Sequence, residues 1–354
     1  MINISKKCSS TINTCYQYTH LTAQSKKCAN RKQKMIGRKM IAVIGENIVD
    51  LLMQQDGSFT AHLGGSPFNL AIGLGKLDTA CSYLNPLSQD RFGHLFANYL
   101  QTHHVIHNSE HYSHLPSSIA LVSIDQFGHP HYSIYRQGIA DRDFDSEQLF
   151  SAIPAETRIL HTGSLALEPQ DLPKLMNIIN KAKAKNIKIS IDINVRSRFV
   201  SDQQAYINGL FTLIPLCDYL KASNEDLAEL YPQLTHEDAV NKILEIMGNG
   251  LLAYTLGDKG AQIITRTQRV TATVVPPIIL GDTVGAGDTF YAALLTYLHE
   301  HNLDQIAPQQ LSTAHLEIML HHATTAASIN VSRIGCVPPT RAELHAALRA
   351  SNAQ

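Results

Sequence analysis

Four short apolar runs in the middle of the chain are separated by amphipathic stretches, and this alternation restricts the fold more than any other feature. The runs are "RILHTG" (158–163), "IKISIDIN" (187–194), "DYLKAS" (218–223) and "LLAYTLG" (251–257). The stretches between them include "LPKLMNIINKAKAK" and "HEDAVNKILEIMG". Strand, helix, strand, helix is the order of a parallel sheet with helices on both faces, so we predict a three-layer α/β fold.

The same domain starts near residue 40. The run "MIAVIGENIVDLL" (40–52) predicts a buried strand followed by a turn. The segment "GSPFNLAIGLGKL" (65–77) predicts a helix, with Ser66 as its cap and Pro67 at the first helical position. We expect the domain to span residues 40–345, with a C-terminal tail at 346–354.

Two segments do not follow the strand–helix order. Residues 51–64 and 117–138 have the pattern of β-hairpins with Asp-Gly and Phe-Gly turns. We interpret them as strands of a small second sheet. Because ligands of parallel sheets bind at the carboxyl ends of the strands, such a sheet is expected to act as a lid over the site.

The charge is distributed unevenly. Residues 1–39 contain nine Lys or Arg and no Asp or Glu, so the rest of the chain carries 20 of the 29 basic residues and all 30 acidic ones. The body is therefore mildly acidic, and we expect no nucleic-acid partner. The basic segment 1–39 lacks periodicity and is expected to be a disordered extension. Alternatively, translation starts at Met35 or Met40.

Cysteine spacing and hydropathy indicate the compartment. The six cysteines include no CxxC pair, which argues against a zinc site or a disulfide framework and favours the cytoplasm. No apolar run approaches the ~18 residues that cross a membrane, so we expect no membrane partner.

The segment "GDTVGAGDTF" (281–290) carries the strongest functional signal. The chain contains no Walker A sequence, so the N–H groups of Gly285, Ala286 and Gly287 at a helix start are the available means of holding a phosphate. Asp288 would accept a proton from an attacking hydroxyl while these amides stabilise charge on the transferred phosphoryl group. The alternative is an ordinary glycine turn capped by an aspartate.

Two separated motifs resemble those of the ribokinase-like sugar kinases, also called the PfkB family. "GGSPFNLAIGLGKLD" is similar to the N-terminal Gly-Gly…Asn signature and "DTVGAGDTF" to the C-terminal signature, about 220 residues later. The resemblance extends from about Ile41 to Thr340. It implies an ATP-dependent carbohydrate kinase, with ATP and Mg²⁺ as cofactors and Asp288 as general base.

The resemblance also implies which residues bind the sugar and the transferred phosphate. Asp50 would hydrogen-bond sugar hydroxyls, although a strand-end cap is an equal alternative. Arg136 matches a position where fructokinase-like members present a guanidinium to the substrate; a solvated lid arginine is the alternative. The other implied sugar and phosphate ligands are Gly64, Gly65, Asn69, Asn194 and Arg196.

Nucleotide and metal ligands are implied by three further segments. In "KASNEDL" (221–227), Lys221 and Asn224 are expected at the nucleotide, and Asn224 with Glu225 at Mg²⁺ through water. The family often has Glu three places after the Asn, where this chain has Leu227, so Glu225 or Asp226 would serve instead. The segment "TLGDKG" (255–260) would carry the nucleotide with Thr255, Gly257 and Gly260. Asp282, Asn330, Arg333 and Gly335 would bind a monovalent cation such as K⁺ through their backbone.

Several stretches are most similar to bacterial fructokinases: "LSQDRFG" (87–93), "YRQGIAD" (135–141), "HTGSLAL" (161–167) and "DINVR" (192–196). This resemblance implies phosphorylation of the 6-hydroxyl of fructose. A 2-keto-3-deoxygluconate, ribose or nucleoside kinase is the alternative within the family, and a non-catalytic sugar-binding protein is the alternative outside it. The β-branched lid strands favour a homodimer in which two lids pack together.

Overall fold

The computed structural model describes residues 37–54, 56–108, 112–124, 130–275 and 279–351. Lys39–Gln354 form one compact unit. Of the predicted extension, residues 1–36 lie outside the described part of the chain. The strands are β1 (Met40–Val43), β2 (Ile48–Met53), β3 (Phe59–Gly64), β4 (Cys81–Tyr83), β5 (Leu87–Ser88), β6 (Ile106–His107), β7 (Tyr112–Ser113), β8 (Ser118–Ile124), β9 (Pro130–Tyr135), β10 (Thr157–Gly163), β11 (Lys188–Asp192), β12 (Tyr219–Ser223), β13 (Leu251–Thr255), β14 (Ala261–Ile264) and β15 (Arg269–Ala272).

A nine-stranded sheet forms the centre, in the order β15-β14-β13-β12-β11-β10-β1-β4-β6. The strands from β13 to β6 pair in parallel, and β14 and β15 add an antiparallel edge. The four central apolar runs predicted as strands and the first part of the run 40–52 belong to this sheet. Residues 48–52 of that run lie instead in β2 of the small sheet, as do residues 119–124 in β8.

Helices cover both faces of the central sheet. They are α1 (Ser66–Lys76), α2 (Arg91–Thr102), α3 (Ser146–Ser151), α4 (Leu172–Ala184), α5 (Gln203–Leu213), α6 (Asn224–Leu230), α7 (His236–Met247), α8 (Ala286–Glu300), α9 (Thr313–Val331) and α10 (Arg341–Ser351). Ile41 and Val43 of β1 pack in one core cluster with α1, α2, α8 and α9, whereas Ala42 packs in another with α4 to α7. Alternate residues of a strand point to opposite faces, so the predicted three-layer arrangement is confirmed.

The small second sheet has four strands in the order β3-β2-β8-β9. It combines the β2–β3 and β8–β9 hairpins, which pair through the parallel neighbours β2 and β8. The separate sheet predicted from the two irregular segments is confirmed, although β2 begins at Ile48, before the expected residue 51. The predicted Phe-Gly turn lies outside the described residues.

The C-terminal boundary differs from the prediction. Residues 346–351 continue α10, which starts at Arg341. Leu344 and Leu348 are buried in a cluster with Leu77 and Ala293 of the main body. The last helix is therefore held by apolar packing and is part of the domain. Among the described residues, none of the helices combines the length and the apolar composition that crossing a bilayer requires.

Candidate active site

The glycine-rich loop leads directly into α8. Gly285 caps the helix with φ +71°, and a Cβ there would lie 2.1 Å from the Cys336 sulfur, so only glycine fits. The Ala286 N–H donates to the Thr283 carbonyl at 3.2 Å, whereas the N–H groups of Gly285 and Gly287 have no partner among the described residues. Of the three amides expected to bind phosphate, Gly285 and Gly287 are the ones available to a ligand.

Asp288 is the third residue of α8 and only 8% exposed. Its Oδ1 accepts a hydrogen bond from the Ser66 hydroxyl at 2.7 Å, and its Oδ2 accepts one from the Asn69 side-chain amide at 2.9 Å. Burial raises the pKa of Asp288, while both hydrogen bonds and the charges of Lys221 and Arg196 oppose the rise. The carboxyl group thus faces the start of α1, and the two distant sequence motifs meet at it.

The start of α1 differs from the prediction by one residue. Gly65, with φ +106°, is the N-cap, and Ser66 is the first helical residue. Ser66 makes no cap because its hydroxyl donates to Asp288. A Cβ on Gly65 would lie 2.4 Å from the carbonyl oxygen of Glu46, so the backbone here passes directly over residue 46. Glycine is required both by the conformation and by this close approach.

Asp50 lies inside β2 opposite His62 of β3, so the alternative of a strand-end cap is wrong. Its Oδ2 would be 2.8 Å from a Cβ on Gly64, which places the carboxyl group against the glycine pair. Burial raises the pKa of Asp50 to about 6, and the nearby His62 partly offsets the rise. A half-buried carboxylate with few protein donors is suited to accepting hydrogen bonds from a polyhydroxylated ligand.

We expect the Asp50→Asn variant to be more stable than the wild type at alkaline pH and to bind sugar more weakly. The folded-state pKa of about 6 exceeds the ordinary value of 3.8. Protonation therefore stabilises the fold fully below the ordinary value, and this contribution is lost as the pH rises through about 6. The variant should gain on the order of 2–3 kcal/mol at pH 8 and little near pH 4.

Urea unfolding at the two pH values measures this difference. Asp56→Asn, which changes an exposed aspartate of the same hairpin, is the matched control and should show no such stabilisation. An Asp50→Asn effect of equal size at both pH values would contradict burial as its cause. Sugar KM, measured at pH 8, should rise because the asparagine amide replaces one acceptor oxygen with a donor.

Lys221 and Asp192 form a buried ion pair at the carboxyl edge of the sheet. The Lys221 Nζ donates to both carboxylate oxygens of Asp192, at 2.9 and 2.8 Å. Burial works against the charge of Lys221, but Asp192 and Asp226 outweigh it and raise the pKa of Lys221. The Nζ lies 3.2 Å from the position of a Cβ on Gly287, so a fixed positive charge adjoins the available amides of α8.

Asn194 and Arg196 follow β11 at the same edge. Asn194 is half-buried with φ +38° and lines the cavity described below. Arg196 is half-buried, and its Nη1 donates to the Val195 carbonyl at 3.0 Å. Its charge lowers the pKa of Asp288. Arg196 is therefore close to Asp288, the candidate general base, and Asn194 lies at the neighbouring cavity.

A cavity of about 320 Å³ opens between β12, β13 and the helices α8 and α9. The residues predicted to bind nucleotide that line it are Lys221, Thr255, Gly257 and Gly260. Glu225, expected at Mg²⁺, also lines it, as do Ala286 and Gly287 of the glycine loop. Apolar side chains of Val274, Phe290 and Val331 complete the wall. The wall thus combines apolar side chains with the Gly287 amide and the Lys221 ammonium, a combination that fits a nucleotide.

Asn224 is not among the residues that line this cavity; it lines an adjacent one of about 410 Å³. Ser223 caps α6 and forms a capping box with Asp226, which puts Asn224 at the first helical position. The Asp226 carboxylate accepts from the N–H groups of Ser223 and Val195, both at 2.7 Å. Asp226, one residue before Leu227, is therefore a buried acid at the nucleotide cavity, whereas Asn224 faces the adjacent cavity.

The segments expected to bind a monovalent cation lie side by side. The Asp282 carboxylate accepts from the N–H groups of Val284 and Gly335, at 3.0 and 3.2 Å. Asn330 is fully buried, and its side chain donates to the Val284 carbonyl at 2.8 Å. The Asn330 carbonyl already accepts from the Arg333 N–H at 2.9 Å. Asn330 thus joins the two loops through its side chain.

Arg136 is neither solvated nor free. It is 7% exposed, and its Nη1 and Nε form ion pairs with Asp141 at 2.8 Å and Glu168 at 3.0 Å. The alternative of a solvated lid arginine is wrong. The partners of the site residues were not predicted from the sequence: Ser66, Asp192, Asp141, Glu168 and the buried Glu46. An acid inside an apolar strand end, as in "GEN" or "SIDIN", was the available signal.

Comparisons with known proteins identify the family. The model of the "pfkB family carbohydrate kinase" matches residues 35–343. A fructokinase of Rhizobium leguminosarum bv. trifolii is 29% identical over 270 residues, covering 75% of this chain and 81% of the relative. An uncharacterized sugar kinase from Pyrococcus horikoshii has a solved structure that is 27% identical, with a TM-score of 0.73 over 87% of this chain and 97% of that one.

Two further solved structures share the fold. A fructokinase with bound ATP from Xylella fastidiosa has a TM-score of 0.80 at 20% identity, covering 89% of this chain and 99% of its own. A fructokinase double mutant from Vibrio cholerae O395, in fructose, ADP and potassium ion bound form, has a TM-score of 0.74 at 23% identity, covering 88% and 98%. With the family model spanning nearly the whole domain, the chain belongs to the pfkB family of carbohydrate kinases and is a phosphotransferase with an alcohol group as acceptor.

Proposed function

We propose that this kinase transfers the γ-phosphoryl group of ATP to the 6-hydroxyl of D-fructose. The observation that carries the proposal is the Asp288 carboxyl group, held by Ser66 and Asn69 beside the available Gly287 amide. The similarity to a Rhizobium fructokinase supports fructose as the sugar. The Vibrio fructokinase, crystallised with fructose and ADP, supports the same substrate pair.

In this mechanism the sugar lies between the lid and α1, against Asp50, Gly64, Gly65 and Asn69. Its hydroxyl displaces a neutral donor at Asp288 and passes its proton to that carboxylate as phosphorus is attacked. The N–H groups of Gly285 and Gly287, with Lys221 and Arg196, stabilise charge on the transferred phosphoryl group. ATP occupies the 320 Å³ cavity along Thr255, Gly257 and Gly260.

The donor set fits the expected ions. Glu225 and Asp226 line the nucleotide cavity and supply the carboxylate oxygens that Mg²⁺ prefers, so they would hold it through water. When bound, Mg²⁺ neutralises charge on the phosphates of ATP. The carboxylate of Asp282 and the backbone near Gly335 would hold K⁺ beside the glycine loop, as the Vibrio structure contains potassium.

A sugar panel tests the substrate. We expect ADP release to show the highest kcat/KM with fructose among fructose, ribose, 2-keto-3-deoxygluconate and adenosine. The pocket is built from hydroxyl-binding groups, and a site that hydrogen-bonds its substrate rejects analogues that leave those groups unpaired. A preference for any of the other three compounds would replace fructose with that substrate class.

We also propose that two chains pack through their lids in the cytoplasm. The lid exposes Met53, Phe59, Tyr132 and Tyr135, with 43, 49, 48 and 59% of their surfaces accessible, and an apolar surface of this kind favours association. Cys81, Cys217 and Cys336 are free thiols, which supports a reducing compartment. Light scattering over a range of concentrations should show a dimer; a monomer throughout would contradict it.

A further inference from the structure

The lid sheet is joined to the body of the domain at four points, and one buried charge cluster contacts all of them. We define the hinge cluster as Glu46, Arg136, Asp141 and Glu168, which are 1, 7, 2 and 8% exposed. Glu46 lies between β1 and β2, and Arg136 directly follows β9. The other two junctions precede α1 and β8, and each has one group in contact with the cluster: the Ser66 N–H at Glu46 and the Ser118 hydroxyl at Arg136.

Glu46 ties the glycine turn to the body. Its Oε1 accepts from the Ser66 N–H at 3.3 Å, and its Oε2 accepts from the Ala166 N–H at 3.1 Å. Ala166 belongs to the turn Ser164–Leu167 that follows β10. The backbone of Gly65 also packs closely against the Glu46 carbonyl. These contacts fix the end of β3 relative to the central sheet.

Arg136 holds the two junctions of the lid at β8 and β9. Its Nη1 pairs with Asp141 and lies 3.5 Å from the Ser118 hydroxyl at the start of β8, while its Nε pairs with Glu168. Glu168 is held in turn by Arg142 at 3.0 Å. A planar guanidinium with two carboxylate partners has little rotational freedom, so the β8 and β9 junctions are held together.

Ser66 connects the hinge cluster to Asp288, the candidate general base. The Ser66 N–H donates to Glu46, and the Ser66 hydroxyl donates to Asp288 at 2.7 Å. We propose that the hinge cluster is the fixed pivot of the lid and that Glu46 is a positioning residue for phosphoryl transfer, acting on Asp288 through Ser66. This role rests on the proposed kinase reaction, whereas the pivot itself concerns the ligand-free protein.

The kinetic test replaces Glu46 with glutamine, which keeps the shape and turns one acceptor into a donor facing an N–H group. We expect kcat/KM for the sugar to fall about 30-fold, with both a lower kcat and a higher sugar KM, because small displacements of reacting groups reduce rates strongly. The ATP KM should change less than about twofold, since hinge residues do not line the nucleotide cavity. An unchanged sugar KM would overturn the positioning role.

Asp304→Asn is the matched control. Asp304 is fully buried and pairs with Arg158 at 3.1 Å near the amino end of β10, the edge opposite the site. Like Glu46→Gln, this variant replaces a buried carboxylate with its amide, so its stability should fall while its sugar KM stays the same. An equal rise of sugar KM in this control would show that the Glu46 effect is only structural.

A double variant tests whether Glu46 acts on Asp288 through Ser66. In a Ser66→Ala background, Glu46→Gln should lower kcat/KM less than about threefold further, because the hydroxyl through which Glu46 acts is already absent. Losses that multiply would overturn action through Ser66.

Hydrogen exchange of the ligand-free protein tests the pivot of the lid independently of the proposed kinase reaction. Arg136→Lys keeps the positive charge but loses the planar guanidinium that pairs with Asp141 and Glu168 at the same time. Amides of β2, β3, β8 and β9 should exchange about 10-fold faster in this variant, with those of β10 to β13 unchanged. No change in the lid would overturn the pivot even in an active kinase. If the wild type releases no ADP with any sugar, the proposed reaction fails while the exchange result still decides the pivot.

Discussion

Replacing Asp288 with asparagine is expected to lower kcat for sugar-dependent ADP release by about 10³-fold, with a change in sugar KM of only a few-fold. Asparagine has the same shape, so the contacts to Ser66 and Asn69 can be largely kept, but it cannot take the proton of the attacking hydroxyl. Because burial raises the pKa of Asp288, removing the charge should leave the fold at least as stable. A coupled ADP assay and thermal unfolding measure the two effects.

The matched control is Asp202→Asn. Asp202 is an exposed N-cap of α5 whose side chain accepts from the Ala205 N–H, and asparagine caps a helix equally well. This variant should keep wild-type activity and stability. If Asp288→Asn retained more than about a tenth of the wild-type kcat, general-base catalysis by this residue would be wrong. Loss of all sugar-dependent ADP release would exclude a non-catalytic sugar-binding protein, provided the wild type turns over.

The Lys221→Met variant should lose about 3–5 kcal/mol of unfolding free energy, because it leaves Asp192, 1% exposed, as an unpaired buried carboxylate. Adding Asp192→Asn should restore most of this stability, since the buried charge is then gone. The ATP KM should rise about 10-fold in both variants, because neither has a cation beside the α8 amides. Urea unfolding and ADP release at varied ATP measure the two quantities.

Lys188→Met is the control for this pair. Lys188 lies on β11 and pairs with Asp218 at 3.0 Å, but its side chain is 33% exposed, so its loss should lower the stability by less than about 1 kcal/mol. Recovery of the ATP KM together with stability in the double variant would mean that Lys221 only neutralises Asp192. A persistent rise in ATP KM would support direct action on the nucleotide.

The sequence was sufficient for five strands of the central sheet, β1 and β10 to β13, because these strands are buried on both faces and appear as continuous apolar runs. The short strands β4, β6, β14 and β15 were not predicted. The lid was also predictable, since its hairpins interrupt the helical order. The position of Asp288 followed from the glycine loop, whose conformation is local. The predicted domain boundary at residue 346 was wrong because α10 is held by Leu344 and Leu348, which pack on the body. Eleven residues of sequence do not show such packing.

The remaining differences arise from long-range contacts. Ser66 was expected to cap α1, but its hydroxyl contacts Asp288, 222 residues away. Arg136 was expected to face the sugar or solvent, but it is paired with Asp141 and Glu168. Asn224 was expected at the nucleotide, but it lines an adjacent cavity, whereas Ser223 and Asp226 of the capping box line the nucleotide cavity. Hydrogen-bond partners from different elements cannot be read from local spacing.

In the proposed mechanism, the contacts of Asp288 also determine when catalytic competence arises during biosynthesis. Ser66 and Asn69 are synthesised 222 and 219 residues before their carboxyl partner, and α9 and α10 follow it. A nascent chain would therefore contain the lid strands before it contains the general base. Phosphoryl transfer would begin only after α8 had emerged and docked against α1.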